Sequence, residues 1–287
     1  MTTVVGLLLN YRDASRSAAC IASLLAEGVD HVLVWDNSAD DAASAADLAA
    51  RFLHDARVAI EISATNLGFA AGVNRGLAAC RRRYGISSVL LINNDARLIS
   101  GSLAYWRAQA MLHPDAVLLS ADTLHAATRV GLMYYQRWLA LQFRQPRWGA
   151  FPYASGSCLW IQPHHAQGPL FDEAFFMYGE DCELGWRLRG AGGRVHIPQL
   201  LVEHEGSASS GLGSPFYEER MVAAHVLLAA KLADNAWQHA IFLALRLVTL
   251  PARALWRAWR HRSTVPLRAL VTGWRARTPG RLPPSGG

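Results

Sequence analysis

Cysteine is scarce in this sequence, and the cysteines that occur are not grouped. The chain has 287 residues and four cysteines, which lie far apart and form no CxxC motif. Disulfide frameworks and zinc sites need closely spaced or numerous cysteines, so we expect neither. The sequence therefore predicts a protein of a reducing compartment.

A leader and a dinucleotide fingerprint are also missing. The N-terminus, MTTVVGLLLNYRD, has no basic segment before its short apolar run, and an acid follows soon after. We therefore interpret it as a first buried strand rather than a signal peptide. The glycine-rich stretch 66–76 lacks the GxGxxG spacing and does not follow the first strand, which argues against a dinucleotide-binding motif.

Charge is unevenly distributed along the chain. The apolar fraction of 52% and charged fraction of 17% are typical of a globular protein. The formal net charge is +6, yet residues 231–287 carry ten basic side chains against the single acid Asp234. The body before residue 231 is slightly acidic, so the excess of positive charge belongs to the tail.

Four apolar runs, each ended by polar residues, occur in the first hundred residues. They are too continuous for strands with one wet face, so we predict parallel strands buried on both faces. The segments between them are rich in alanine and leucine and fit helices, and this alternation predicts a doubly wound α/β sheet. The predicted strands are 4–10, 31–37, 57–63 and 88–95, and the predicted helices are 15–27, 41–54 and 70–83.

The alternation weakens after Asp95. We predict a helix and a strand, an irregular stretch up to about residue 155, and then two more strands with a helix between them. These elements are the helix 102–113, the strand 116–121, the strand CLWIQ (158–162), a helix from about Glu180 and the strand 194–202.

From Glu218 onward the pattern is helical only. The apolar segment 236–250 contains Arg246 and ends at Pro251, which predicts a helix too short to span a bilayer. The next segment, ARALWRAWRHR (252–262), has the density of tryptophan and arginine typical of a helix in an anionic membrane interface. A helical cap packed on the domain with a solvated basic face is the alternative. Because the body is acidic, we expect no nucleic-acid partner.

Polar residues stand at the ends of the predicted strands, where ligands bind in doubly wound sheets. Asp36 fits a contact with a nucleoside, or a simple turn and helix cap. The stretch NLGFAAGVNRG (66–76) suits the approach of a diphosphate, or close packing of a helix on the sheet. Asp95, after Asn94, could ligate Mg²⁺ or Mn²⁺, or cap a turn. His204, after the last strand, is a second possible ligand or a structural histidine.

Two adjacent acids, Glu180 and Asp181, follow the aromatic sequence FFMYG at the start of a predicted helix. The helix dipole stabilises carboxylates there, which explains one acid but not readily two. An acid that points into a cleft can accept a proton from an attacking hydroxyl group, as a general base does. Its neighbour would then cap the helix or bind the acceptor.

Six motifs occur in an order that resembles glycosyltransferase family 2, in particular its rhamnosyltransferase-like, non-processive members. The resemblance covers residues 3 to about 210. The motifs are Asp36, NLGFAAGVNRG (66–76), NNDAR (93–97), GSCLWI (156–161), FDEAFFMYGEDCELGWRLRGAG (171–192) and EHEGSASS (203–210).

This resemblance implies a GT-A fold, which we expect over residues 1–217, followed by the helices over residues 218–287 whose composition predicts membrane association. It also implies inverting transfer of a sugar from a nucleotide-sugar donor, with a divalent metal (Mg or Mn), to a glycan or polyprenyl-linked acceptor. The protein would lie in the cytoplasm, on the inner face of the cytoplasmic membrane. The implied residues are Asp181 as catalytic base, Asn10, Asp36, Asn66, Gly68, Asn74, Asn94 and Asp95 for the donor, Asp95 and His204 for the metal, and Glu180, Tyr178 and Trp160 for the acceptor.

Two departures from the family pattern matter. Asn93-Asn94-Asp95 has one acid where many relatives have two, which predicts a weaker metal site or a metal held partly by the diphosphate. The QxxRW motif of processive members is missing after the acidic pair, which predicts addition of one or a few sugars.

Two rival functions remain open. A nucleotidyltransferase on a similar sheet would want a glycine-rich basic loop after the first strand, where this chain has NYRDASR. A catalytically inactive membrane-bound scaffold would have no need of Asp36, Asp95 and Asp181.

Overall fold

A computed structural model of the protein describes residues 2–125, 127–165, 169–190, 192–205 and 213–276. Eight helices and twelve strands occur in this part of the chain. The helices are α1 (Ala14–Ala26), α2 (Ala43–Arg51), α3 (Gly68–Tyr84), α4 (Ser102–Leu112), α5 (Glu180–Arg187), α6 (Pro215–Lys231), α7 (Ala236–His261) and α8 (Val265–Arg275). The strands are β1 (Val4–Asn10), β2 (His31–Asp36), β3 (Val58–Ile62), β4 (Ser88–Ile92), β5 (Ala96–Leu98), β6 (Leu118–His125), β7 (Thr128–Val130), β8 (Met133–Gln136), β9 (Leu141–Phe143), β10 (Ala150–Tyr153), β11 (Cys158–Ile161) and β12 (Arg194–His204).

The first half of the main sheet confirms the predicted α/β alternation. Strands β3, β2, β1 and β4 lie side by side in that order and are all parallel. Leu7 and Leu8 of β1 face opposite sides of the sheet and belong to separate buried clusters, so both faces are covered. Asn10 and Asp36 are opposite each other in the register of β1 and β2, which brings the polar ends of these strands to one edge.

The second half of the main sheet mixes strand directions. The predicted strand CLWIQ is β11, which runs antiparallel between β4 and β6. Beyond it β12 is parallel to β6, and β5 is antiparallel to β12. A short apolar run predicts burial but not strand direction, because direction depends on the connections between strands.

A second, three-stranded sheet occupies part of the stretch that was predicted to be irregular. Its order is β10-β8-β9, and all its pairs are antiparallel. These strands have only three or four residues each and mix buried with exposed positions, so none has the length of the apolar runs in the first hundred residues. Hydrophobic patterning therefore does not reveal them.

Helix α3 packs closely on β1 through glycine. A Cβ atom at Gly72 would lie 2.7 Å from Leu9 Cδ2, and one at Gly76 would lie 2.6 Å from Leu7 Cδ1. Only glycine allows this approach without displacement of a neighbour. The close-packing alternative for the glycine-rich stretch is therefore correct for Gly72.

The prediction that the apolar C-terminal helix ends at Pro251 is wrong. Helix α7 continues through this proline and has 26 residues, long and apolar enough by length and composition to cross a membrane. Proline removes the hydrogen bond to the carbonyl four residues earlier, which belongs to Leu247. Leu247 is 64% exposed, so water can satisfy that carbonyl and the helix can persist.

The inner face of α7 packs on the domain. Phe242 shares a buried cluster with Tyr135, Phe175 and Leu228. Arg246 is fully buried and donates to the backbone carbonyl oxygens of residues 225, 242 and 137 at 2.6, 3.0 and 3.2 Å. The boundary expected after residue 217 falls in the first turn of α6, and a common core joins the two parts of the chain.

The outer face of α7 carries an exposed apolar stripe. Two of the arginines expected there, Arg253 and Arg257, turn inward and form ion pairs with the buried Glu218 of α6. Arg260 and Arg262 remain exposed. The stripe consists of Trp237, Leu247, Val248, Leu255, Trp256 and Trp259, which are between 53% and 79% exposed.

Candidate active site

A cavity of about 690 Å³ lies at the carboxyl ends of the parallel strands. This volume suits a small-molecule ligand. The cavity brings together most of the residues singled out from the sequence, although they come from distant parts of the chain. These are Asn66, Gly68, Asn94, Asp95, Tyr178, Glu180, Asp181 and His204.

Asn10 and Asp36 lie beneath the cavity rather than in its lining. Both side chains are buried, and Asn10 Nδ2 donates to Asp36 Oδ1 at 2.7 Å. The Ser38 hydroxyl donates to the same oxygen at 2.6 Å. Asp36 Oδ2 has no hydrogen-bond partner among the described residues. An acceptor thus remains unsatisfied at the end of β2, which is costly unless a ligand donates to it.

The sequence interpretation overlooked Asn37, which does line the cavity. Its Nδ2 donates to Asn66 Oδ1 at 3.1 Å and to the Gly68 carbonyl at 2.9 Å, while its Oδ1 accepts from Leu67 N at 3.0 Å. Asn37 thereby fixes the turn that leads into α3. Its position directly after Asp36 was the available signal, but a turn residue and a site residue look the same in sequence.

Asn74 and Trp160 have surroundings that differ from those expected. Asn74 donates to the Phe171 carbonyl at 2.8 Å and accepts from the Leu170 amide at 2.9 Å, so it clamps the segment before α5. Trp160 is 2% exposed and stacks on Trp106 in the core, with ring centroids 6.3 Å apart. Neither residue lines the cavity, which corrects the expectations of donor contact for Asn74 and acceptor contact for Trp160.

Gly68 is required by a close backbone approach. Its φ is +78°, and a Cβ atom there would lie 2.3 Å from the carbonyl oxygen of Phe176. The same oxygen accepts a hydrogen bond from Phe69 N at 2.7 Å. The start of α3 is therefore joined to the segment that carries the acidic pair, with glycine at the contact.

Three polar side chains lie in a row at one edge of the sheet. His125 ends β6, His204 ends β12, and Asp95 directly precedes β5. His204 Nε2 lies 3.0 Å from Asp95 Oδ1, and His204 Nδ1 lies 3.2 Å from His125 Nδ1. Burial is the main cause that lowers the pKa of His125, followed by the charge of His204. His125 was not predicted, because an isolated histidine in an irregular stretch carries no sequence signal.

The Asp95–His204 pair fits two neighbouring ligands of one divalent metal. Ligand atoms at 2.0 to 2.2 Å in octahedral geometry lie about 3.0 Å apart, which matches the observed spacing. Carboxylate and imidazole are both suitable for Mn²⁺. No group of three or more potential ligands in the described part of the chain is arranged around one point. The remaining ligands would come from water or substrate.

The acidic pair lines the cavity from the N-terminus of α5. Cys182 N donates to Asp181 Oδ1 at 2.8 Å, and burial raises the pKa of Asp181. The pKa of Glu180 is also raised, mainly by burial and secondly by the charge of Asp181. Glu180 Oε2 has no hydrogen-bond partner among the described residues. Neither acid is the N-cap, which is Gly179, so helix capping does not explain the pair.

A strained turn aims this helix end at the cavity. Tyr178 and Gly179 both have positive φ angles, +68° and +90°. For tyrosine this left-handed conformation costs about 1–3 kcal/mol, and the surrounding packing must impose it. The Tyr178 ring meets Tyr217 of α6 edge-on at 5.3 Å, so the C-terminal helices help to hold the turn.

A further polar network, also not predicted, joins the cavity wall to β6 and β12. His196 Nε2 lies 2.9 Å from Asp122 Oδ1, and Ser120 Oγ lies 3.0 Å from His196 Nδ1. Arg129 Nε donates to Asp122 Oδ2 at 2.6 Å. Because a carboxylate only accepts, His196 donates from Nε2 and Ser120 donates to Nδ1. Burial lowers the pKa of His196, which agrees with a neutral ring.

The last motif is only partly described. His204 and Glu205 belong to the described residues, whereas residues 206–210 of EHEGSASS lie outside them.

Sequence comparison gives no assignment, since no family profile and no curated protein matches the chain. Comparison of structures does find similar proteins. S. aureus TarS (residues 1–349) has a TM-score of 0.53 and 14% identity, over 97% of this chain and 82% of that one. The same protein has also been crystallised with UDP-GlcNAc.

Two further solved structures are similar. The mannosyltransferase PcManGT from Pyrobaculum calidifontis, with GDP-Man and Mn²⁺, has a TM-score of 0.56 and 14% identity over 96% of this chain and 87% of that one. GalNAc-T7, with UDP, GalNAc and Mn²⁺, has a TM-score of 0.59 and 11% identity over 86% of this chain and 55% of that one. Likeness at this identity shows the fold alone, and the chain accordingly has the GT-A fold expected from its sequence.

Proposed function

We propose that the protein is a glycosyltransferase that moves a sugar from a nucleoside diphosphate to a hydroxyl group of an acceptor. The observation that carries this proposal is a single cavity in which three chemically different parts meet. Asn37 and Asn66 form an amide-rich wall, Asp95 and His204 form a pair with metal-ligand spacing, and Asp181 offers a carboxylate. The similar proteins bound to UDP-GlcNAc or GDP-Man support it.

The donor would lie along the first half of the sheet. The turn held by Asn37 and Asn66 presents backbone and amide groups at the start of α3, where a diphosphate is favoured. Asp36 Oδ2 is unsatisfied but buried beneath the cavity, so a contact with an N–H of the base or a ribose hydroxyl would require the residues above it to move when the donor binds. Asn94 and Asp95 then stand where the diphosphate meets the sugar.

Asp95 and His204 are the residues that would hold a divalent metal. A bound metal neutralises the charge that develops on the diphosphate as it leaves. The Asp95 carboxylate also compensates the positive charge of the ion, and His204 fixes the other side of the pair. Asn93 and Asn94, which replace further acids, leave more of the coordination to the diphosphate.

Asp181 is the proposed general base of an inverting transfer. A single displacement needs a deprotonated acceptor oxygen on the face opposite the leaving group, and no protein nucleophile. Burial raises the pKa of both acids, and the charge of one opposes ionisation of the other. The amide of Cys182 donates to Asp181 Oδ1, whereas Glu180 Oε2 has no donor among the described residues, which favours Asp181 as the ionised acid. Glu180 then stays protonated, with Tyr178 beside it on the acceptor side.

The acceptor and the place of action follow from the resemblance to rhamnosyltransferase-like enzymes and from the C-terminal helices. We propose rhamnose or a similar sugar as the donor sugar and a lipid-linked glycan as the acceptor, extended by one or a few residues. The exposed stripe of α7, together with Arg260 and Arg262, fits the interface of an anionic membrane. The protein would act from the cytoplasm. The inner face of α7 would stay packed on the domain, and its outer face would lie among the lipid headgroups.

The first test is a screen of nucleotide sugars for binding and slow hydrolysis, with Mn²⁺, with Mg²⁺ and with a chelator. We expect binding of one donor that the chelator weakens. Binding of none under any condition would contradict the proposed function.

A second test addresses the base. We expect Asp181→Asn to bind the donor normally and to lower transfer by about 10²–10⁴-fold, because general-base catalysis contributes that much. Asp115→Asn, on an exposed loop, is the control. Unchanged turnover in Asp181→Asn would remove Asp181 from this role.

A further inference from the structure

We propose that His125 is a positioning residue that stabilises the tautomer in which His204 binds a metal through Nε2, by accepting a hydrogen bond from Nδ1. This inference rests on the proposed metal at Asp95 and His204. It assigns a role to a histidine that lines the cavity but lies outside every motif found in the sequence.

Strand register builds the arrangement. His125 and His204 are directly opposite each other at the ends of the parallel strands β6 and β12. On its other side β12 pairs with β5, which places His204 opposite Ala96, the residue after Asp95. The side chains of His204 and Asp95 are only 12% and 9% exposed, so water has little access to replace their contacts.

The two nitrogens of His204 face different groups. Nε2 faces Asp95 Oδ1 at 3.0 Å, and Nδ1 faces His125 Nδ1 at 3.2 Å. Without a metal, Nε2 carries the proton, because the Asp95 carboxylate 3.0 Å away only accepts. A metal shared between Asp95 and His204 would take the lone pair of Nε2, so the proton of a neutral His204 must then be on Nδ1. The atom in position to accept that proton's hydrogen bond is His125 Nδ1.

The remaining contact of Nε2 is compatible with this tautomer. Asn93 Nδ2 lies 3.3 Å from His204 Nε2, and an amide nitrogen donates to a lone pair. A histidine that binds a metal usually donates its other N–H to a fixed acceptor, which sets the ring orientation and the tautomer. His125 supplies that acceptor here. This support is most useful beside a motif that has only one acid, Asp95.

The experiment is a titration of the full-length protein with Mn²⁺, in which the signal of free Mn²⁺ is followed by electron paramagnetic resonance. The variants are His125→Ala, which removes the acceptor, and His125→Asn, whose amide oxygen lies near the position of Nδ1. His54→Ala, in the exposed turn that follows α2, is the matched control. Circular dichroism verifies the fold of each variant.

We expect one Mn²⁺ site in the unaltered protein and an affinity about 10–100-fold weaker in His125→Ala. His125→Asn should bind nearly as well as the unaltered protein, because it restores the acceptor. Equal affinity of His125→Ala and the unaltered protein would overturn the inference and leave the metal in place. Equal loss in both His125 variants would also overturn it, since that result makes His125 a ligand. No binding by the unaltered protein would contradict the proposed metal and the inference together.

Discussion

Glu218 of α6 accepts a bifurcated hydrogen bond from Arg257 Nε of α7, with distances of 2.7 and 3.0 Å to its two carboxylate oxygens, although Glu218 is 1% exposed. Arg253 lies 3.8 Å from the same carboxylate. This buried acid neutralises basic side chains that the sequence alone assigns to a solvated or membrane-facing surface. This one carboxylate therefore joins α7 to α6, in addition to the apolar contacts of Phe242 and the hydrogen bonds of Arg246.

We expect Glu218→Ala to lower the free energy of unfolding by about 3–5 kcal/mol, because it leaves the buried arginine charges without a partner. Denaturant titration measures the change. Asp47→Ala is the control, since the Asp47–Arg51 pair is about half exposed and should contribute at most about 1 kcal/mol. Similar small losses in both variants would show that the Glu218 contacts are dispensable.

Gly68→Ala tests the contact between α3 and the segment before α5. Gly28 is the matched control, because its φ of +85° is similar but a Cβ atom there would have nothing within 4 Å. We expect Gly28→Ala to cost about 1–2 kcal/mol from backbone strain alone. Gly68→Ala should cost more and weaken nucleotide-sugar binding, as measured by denaturation and calorimetry. Equal effects of the two substitutions would mean that the contact with Phe176 adds nothing.

Glu180→Gln should change how the stability of the protein depends on pH. The pKa of Glu180 is raised by burial and by Asp181, whereas in the unfolded chain it is about 4.3. At pH values between the pKa of the unfolded chain and the raised pKa of the folded protein, the folded protein binds more protons than the unfolded one. The unfolding free energy therefore falls as pH rises through this range. Glutamine removes this loss, and the variant should gain stability relative to the unaltered protein between pH 5 and pH 8.

Denaturation at those two pH values measures the effect, with the exposed Glu203→Gln as the control. The prediction is contradicted if the difference in unfolding free energy between Glu180→Gln and the unaltered protein is the same at pH 5 and at pH 8.

The raised pKa of Asp181 predicts a related effect on turnover. Transfer should increase with pH through a pKa above the ordinary aspartate value of about 3.9, because the base must be ionised.

The exposed stripe of α7 predicts membrane binding through tryptophan. We expect the unaltered protein to sediment with phosphatidylglycerol vesicles. The double variant Trp256→Ser, Trp259→Ser should have an affinity for these vesicles that is lower by about tenfold or more. Trp148→Ser is the control, since Trp148 is 95% exposed but lies outside the stripe. Equal sedimentation of all three proteins would contradict the interfacial helix.

The sequence predicts well what hydrophobic patterning determines. Strands β1–β4 lie within the four predicted ranges, although β4 ends at Ile92 rather than Asp95 and β3 is only partly buried. Strands β8–β10 are short and half exposed, so no pattern marks them. The rule that ligands bind at the carboxyl ends of strands locates the site but does not give the direction of each side chain. It therefore could not predict that Asn37 rather than Asp36 lines the cavity. His125 and His204 meet through strand register, and their separation of 79 residues conceals it.

Helix α3 holds the segment 170–176 at two points, through the Asn74 side chain and through the backbone of Phe69. That segment leads directly into the turn at Tyr178 and Gly179, which sets the direction of the acidic pair. A ligand that shifts the start of α3 therefore also shifts the carboxylates, although they lie more than a hundred residues further along the chain. The start of α3 and the acidic pair are therefore mechanically linked through this segment, so the two walls of the cavity that they form are not independent of each other.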